Sequence, residues 1–200
     1  MEINVVSGAN FNSAGLYYRV IQPMRELGVG LNPSARLTVI FGVWNSPDSP
    51  LLREPFIVDF DDHYNWIELK RALSLATVVT CATDFLRQQI PVPAVVCRTG
   101  VDELDYPIVG EPTQPLVVWR GKPNRNIGYE IIKPFLPQLY VHPYMPWMEY
   151  RVWLRTHQRT VEVCPSAPDI HMQSKSPIKM LQAMCQGVPC VVSHLPPYGP

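Results

Sequence analysis

Two hundred residues, 46% of them hydrophobic, can build one medium domain or two small lobes around a real core, so disorder is not the default. Seventeen basic side chains balance 17 acidic ones, so no global field draws in nucleic acid or an anionic membrane surface. No run approaches the length of a membrane span, and the start MEINVVSGAN lacks the basic and long apolar parts of a signal peptide, so a soluble, cytoplasmic protein without a transmembrane segment is expected.

The five cysteines (81, 97, 164, 185 and 190) are odd in number and show no C-x-x-C spacing. Most stand in apolar runs, which predicts buried free thiols in a reducing compartment. Twenty-two prolines are about double the usual proportion of roughly 5% and break the second half of the chain into short elements.

Ile3–Ser7 reads as an apolar strand, and GANFNSAG leads through a turn into a helix over Ala14–Leu27. Leu16, Val20, Met24 and Leu27 share one face of that helix, Gly28 stops it, and Pro23 should bend or weaken it. There is no full G-x-G-x-x-G, so a standard dinucleotide site is not expected. Leu37–Val43 and Phe56–Phe60 are the next strands, and the second runs into Asp59, Asp61, Asp62 and His63. Carboxylates at the C-terminal end of such a strand sit where α/β sheets bind ligands. Three readings compete: a divalent metal held by oxygen ligands, contact with an acceptor hydroxyl as binder or base, or Asp61 or Asp62 as N-cap of the following helix, Tyr64–Ala76. Thr77–Cys81, Thr83–Gln89 and Ala94–Arg98 continue as strand, helix and strand, and this alternation predicts a parallel sheet with right-handed crossovers.

Leu104–Pro115, with Pro107, Gly110, Pro112 and Pro115, reads as a linker. The strand Leu116–Trp119 leads into RGKPNRN, where Arg120, Lys122 and Arg125 are either phosphate ligands or a solvated basic loop. Ile127–Phe135 is a predicted helix, Gln138–Val141 a strand, and Pro146–His157 a helix that packs Trp147, Tyr150 and Leu154. The chain then reads as the strand Thr160–Cys164, a polar loop, a helix capped by Ser176 with Pro177 in its first position and Gly187 past its end, and the strand Val188–Ser193. Lys175 and Lys179 flank the start of that helix, where the macrodipole disfavours cations by about 0.3–1 kcal/mol each. Either they wave in solvent or a phosphate sits there.

The segment KSPIKMLQAMCQGVPCVVS resembles the donor-site segment of GT-B-fold glycosyltransferases, in particular their retaining, family-4-like branch. That pattern, K-S-x-x-K-x-L-E-x-x-x-x-G-x-P-V-V-x-S, is matched at Lys175, Ser176, Lys179, Leu181, Gly187, Pro189, Val191, Val192 and Ser193. Its acidic residue falls at Gln182, and the usual Glu eight residues earlier falls at Ser174. ATVVTCATDFLRQQI and VVCRTGVD are similar to further family segments, the latter marking the end of the first lobe.

The resemblance implies an α/β fold of two abbreviated Rossmann-like lobes of GT-B type with parallel sheets: an acceptor lobe over 1–106, a linker over 107–115, and a nucleotide-sugar-binding lobe over 116–200. It implies a hexosyltransferase-type reaction that moves a sugar from a UDP- or GDP-sugar to an acceptor hydroxyl, with no metal or cofactor required. Donor-binding residues would be Gly15, whose turn approaches the donor phosphates in the interlobe cleft, and Arg120, Lys122, Lys175, Ser176, Lys179 and Gln182. No catalytic residue is assigned; Asp61, Asp62 and His63 are the candidates. The competing expectation is a catalytically inactive structural or interaction subunit of the same fold, suggested by Gln182, Ser174 and the short stretch after Ser193. A third takes Asp59-Phe60-Asp61 as a metal-binding D-x-D of a GT-A-type enzyme. A protein partner or oligomer is left open.

Overall fold

The computed structural model describes residues 1–7, 14–41, 55–62, 66–120, 127–142 and 145–195. The chain forms two compact units, the first comprising Met1–Thr99 with Ser174–Ser176, the second Gly100–Gln173 with the chain from Pro177 onward.

The first unit holds the strands β1 (Glu2–Ser7), β2 (Gly30–Leu31), β3 (Thr38–Phe41), β4 (Phe56–Phe60), β5 (Val78–Cys81) and β6 (Val95–Val96). They pair in the order β2-β1-β3-β4-β5-β6, every pair parallel. Alternation along each strand sends side chains to two faces, and both are covered. Ile40, Phe56, Val58, Phe60, Val79 and Cys81 pack with Leu69 and Leu73 of α3 (Trp66–Leu75) and Leu86 of α4 (Asp84–Gln89). Ile3 and Phe41 pack with Leu16, Val20 and Met24 of the first helical run.

That run comprises α1 (Ala14–Leu16), a π-helical turn over Tyr17–Ile21, and α2 (Gln22–Glu26). Pro23 accounts for the π turn. Its ring crowds the carbonyl four residues back and it has no N–H to donate, so the ladder widens and the Gln22 N–H bonds the Tyr17 carbonyl instead. The helix start at Thr83 follows the usual rule, its hydroxyl accepting from the Leu86 N–H at 3.1 Å. The residues just before α3, on which capping by Asp61 or Asp62 would show, lie outside the described ones.

The second unit carries β7 (Val117–Arg120), α5 (Ile127–Ile132), β8 (Tyr140–His142), α6 (Trp147–Thr156), β9 (Val161–Cys164), α7 (Ile170–Ser174, whose last residue counts with the first unit), α8 (Ile178–Cys185) and β10 (Cys190–Val192). Its sheet runs β10-β9-β7-β8, again all parallel. The two faces differ in chemistry. On one, Trp119 and Val163 pack with Tyr129 and Ile132 from α5. On the other, register places Glu162 between Val118 and Cys190, and Arg120 and Cys164 follow two residues further along the same face. Charge is therefore built into this sheet from within.

Three sequence expectations that bear on the sites are corrected by the structure. Arg120 ends β7 instead of opening the loop after it. Pro177, not Ser176, is the N-cap residue of α8, and no side chain caps that helix. A residue before proline is pushed out of the helical region, so Ser176 stays one step outside. The third concerns the thiols: Cys81 and Cys164 are buried, Cys185 and Cys190 are half-buried, and Cys97 is exposed. Among the described residues no helix is long and apolar enough to cross a membrane.

Candidate functional site

The C-terminal end of β4 gathers one group of sequence-predicted residues. Asp59 points to the face covered by the first helical run, where Arg19 in its π turn pairs with both carboxylate oxygens, Nε lying 2.8 Å from Oδ2. Thr80 on the neighbouring strand donates to Asp59 at 2.5 Å, and the Arg19 guanidinium also reaches the Cys97 carbonyl. Asp59 is thus committed to holding the sheet to its helix, which leaves Asp61 and Asp62 at the strand's mouth.

Gly15 meets Asp61 there. A Cβ on residue 15 would lie 2.5 Å from Asp61 Oδ2 and 3.0 Å from the Phe41 ring, so any larger residue must displace the Asp61 carboxylate. Lys175 belongs to the segment that packs with this unit, and its Nζ lies 2.7 and 2.8 Å from the two Asp62 oxygens. Asp61 is partly buried, and burial, with the Asp62 charge beside it, pushes its carboxyl from 3.8 up to about 6, while Lys175 pulls the other way. A carboxyl that changes charge near neutrality, next to a carboxylate clamped by an ammonium, can exchange protons with a hydroxyl and can orient one. Ser174 anchors the same segment, its carbonyl accepting from the Thr83 hydroxyl at 3.2 Å. Gly15, Asp61, Asp62 and Lys175 are brought together, with Ser176 next in the chain.

A second group lies in the other unit around Arg120. All five of its N–H donors are engaged: Nε and Nη2 with Glu162, Nη1 with the Tyr150 hydroxyl and with Gln182 Oε1 at 2.7 Å, and Nη2 also with the Lys179 carbonyl at 2.9 Å. In return the Lys179 ammonium donates to the Arg120 carbonyl and lies 5.9 Å from the Trp119 ring centre. Arg159 completes the cluster, its Nε 3.3 Å from Glu162 Oε2 and its Nη2 donating to Gln186 Oε1, while Gln186 donates to the Leu154 carbonyl at 2.5 Å. Burial opposes the charge on Arg120, but Glu162 more than compensates and holds it above its ordinary value. Arg159 is held below its own, because burial outweighs the attraction of the carboxylate it shares.

Arg120 is 2% exposed and Gln182 2%, so the pair faces inward and fixes α8 against β7. Sequence reasoning assigned both to the donor; here each is a partner of the other. Lys179 and Tyr150 are the half-buried members of this group. His63 and Lys122 lie outside the described residues. The residues that reasoning missed are Glu162, Arg159, Tyr150 and Arg19. A signal existed for Glu162, since it and Arg120 are opposite charges in largely apolar strand runs, TVEVC and LVVWR. Among the described residues no three His, Cys, Asp or Glu side chains group as metal ligands.

Fold and sites together define a mixed α/β protein with two sheets of parallel strands, acidic at the mouth of one sheet and internally ion-paired on the other. Comparison with protein-family models and with curated proteins finds no match.

Proposed function

We propose that this protein is a glycosyltransferase of the GT-B type, moving a sugar from a nucleoside-diphosphate donor, UDP- or GDP-linked, to an acceptor hydroxyl. The observation that carries the reading is the local fold of Lys175–Ser193. Parallel pairing of β9 with β10 obliges the connection to leave at the C-terminal edge of β9, where α/β sheets bind ligands. Lys179 then falls in the first turn of α8, and Gly187 closes that helix with φ 71°. In this reading Lys179 and the α8 N–H groups stabilise the leaving diphosphate, and Arg120 acts by holding Lys179 in place. Asp61 and Asp62 serve the acceptor hydroxyl.

The test is thermal-shift titration with UDP, GDP and their sugars. Binding at a hundredfold excess over Kd stabilises the folded chain by about 2.7 kcal/mol, and Lys179→Ala should abolish the shift. One observation favours a second reading, a non-catalytic interaction subunit: the Arg120 and Gln182 side chains satisfy each other inside the unit. No shift at millimolar nucleotide, in native protein and variant alike, would select it.

A further inference from the structure

We propose that Cys164 and Cys190 form an oxidisable dithiol, a modification site that a peroxide converts to an intrachain disulfide. Their sulfurs lie 3.7 Å apart on the neighbouring parallel strands β9 and β10. Register sets Cys190 opposite Glu162 and Cys164 opposite Val192, so the two are diagonal neighbours on one face. Disulfide formation closes that gap to about 2.05 Å. Among the described residues β10 is three residues long and pairs with β9 alone, so it is the more easily adjusted of the two strands.

Accessibility assigns the two roles. Cys190 is half-buried and reachable, while Cys164 is 4% exposed. Contact with the Cys164 sulfur holds the Cys190 thiol below its ordinary value, with burial and the Glu162 charge opposing and the Arg120 and Arg159 charges helping. Cys164, in contact with Cys190 and buried beside the Glu162 carboxylate, is held above its own. The Cys190 thiolate attacks one peroxide oxygen; the O–O bond breaks, a sulfenic acid forms and, with a proton taken up, water leaves. The Cys164 sulfur then attacks the Cys190 sulfur, the S–O bond breaks, and a second water leaves with the Cys164 proton. Two thiols lose two electrons and the peroxide gains them.

Ser193, directly after β10, accepts from the Ser166 N–H at 2.8 Å, which ties this strand to the loop that opens after β9.

The experiment treats reduced, native protein with stoichiometric hydrogen peroxide and follows it by intact mass and non-reducing peptide mapping. The expected product has lost two hydrogens, links the Cys164 and Cys190 peptides, keeps Cys81, Cys97 and Cys185 as thiols, and reverts with dithiothreitol. Cys190→Ser should give no link, and Cys164→Ser should leave a sulfenic acid on Cys190 that dimedone traps. Oxidation of exposed Cys97 while Cys164 and Cys190 stay reduced would overturn the proposal, as would a two-thiol loss that persists in Cys190→Ser. Because Cys164 is buried, its variant could fail to fold; the wild-type map and Cys190→Ser then decide the matter.

Discussion

Asp61→Asn is the substitution whose effect the structure specifies most fully. The Asp61 carboxyl is lifted from 3.8 to about 6, first by burial and then by the Asp62 charge. Between those two values the folded chain holds a proton that the unfolded chain has released, so wild-type stability falls as pH rises through this window and stays low above it. The shift is roughly two pH units at 1.36 kcal/mol each, a ceiling of about 3 kcal/mol. Asp61 is only partly buried, and solvent screening brings the expected effect to about 1–2 kcal/mol. Asparagine cannot ionise and does not lose this stability. Denaturant unfolding of both proteins from pH 3.5 to 8 (roughly the range over which a raised carboxyl titrates) should therefore show the difference growing in the variant's favour and levelling off above about pH 7. The Asp61 carboxyl carbon, followed by NMR, should titrate in the same window. A difference that is constant with pH, or that shrinks as pH rises, refutes the reasoning.

Three further outcomes are expected. Glu162→Gln removes the one carboxylate shared by Arg120 and Arg159; an uncompensated buried charge costs about 3–5 kcal/mol, read as a lower denaturation midpoint. Gln182→Glu places a second carboxylate on an arginine pair that now has one, replacing a neutral hydrogen bond by a charge-assisted one, so stability at pH 7 should rise by about 1 kcal/mol and the gain should vanish in acid. Gly15→Ala would ordinarily strengthen a helix by about 1 kcal/mol, yet here it should destabilise, because its Cβ overlaps Asp61 Oδ2. A double-mutant cycle with Asp61→Ala should recover part of that loss.

Asp61, Asp62 and Gly15 could be singled out from the chain because a strand ending and a glycine turn fix where backbone goes, and those rules are local. Arg120 and Gln182 show the converse. Their residue types suit a phosphate or a ribose as well as they suit each other, and a resemblance assigns them by position in a motif. The side chains that Arg120 meets in the fold, Glu162 and Tyr150, lie 42 and 30 residues from it. No window of the chain brings these together; only the pairing of β7 with β9 and the seating of α6 do.

Apolar period and turn chemistry alone were thus enough for alternating strands and helices, parallel sheets, the strain around Pro23 and the close of α8 at Gly187. These are backbone matters, dictated within a few residues by sterics and hydrogen-bonding valence. Which charge answers which, and which sulfur touches which, came from register. A strand's side chains alternate faces, so the same residues are solvent-facing or mutually buried depending on which neighbour the strand acquires. Arg120 with Glu162, and Cys164 with Cys190, are products of that choice.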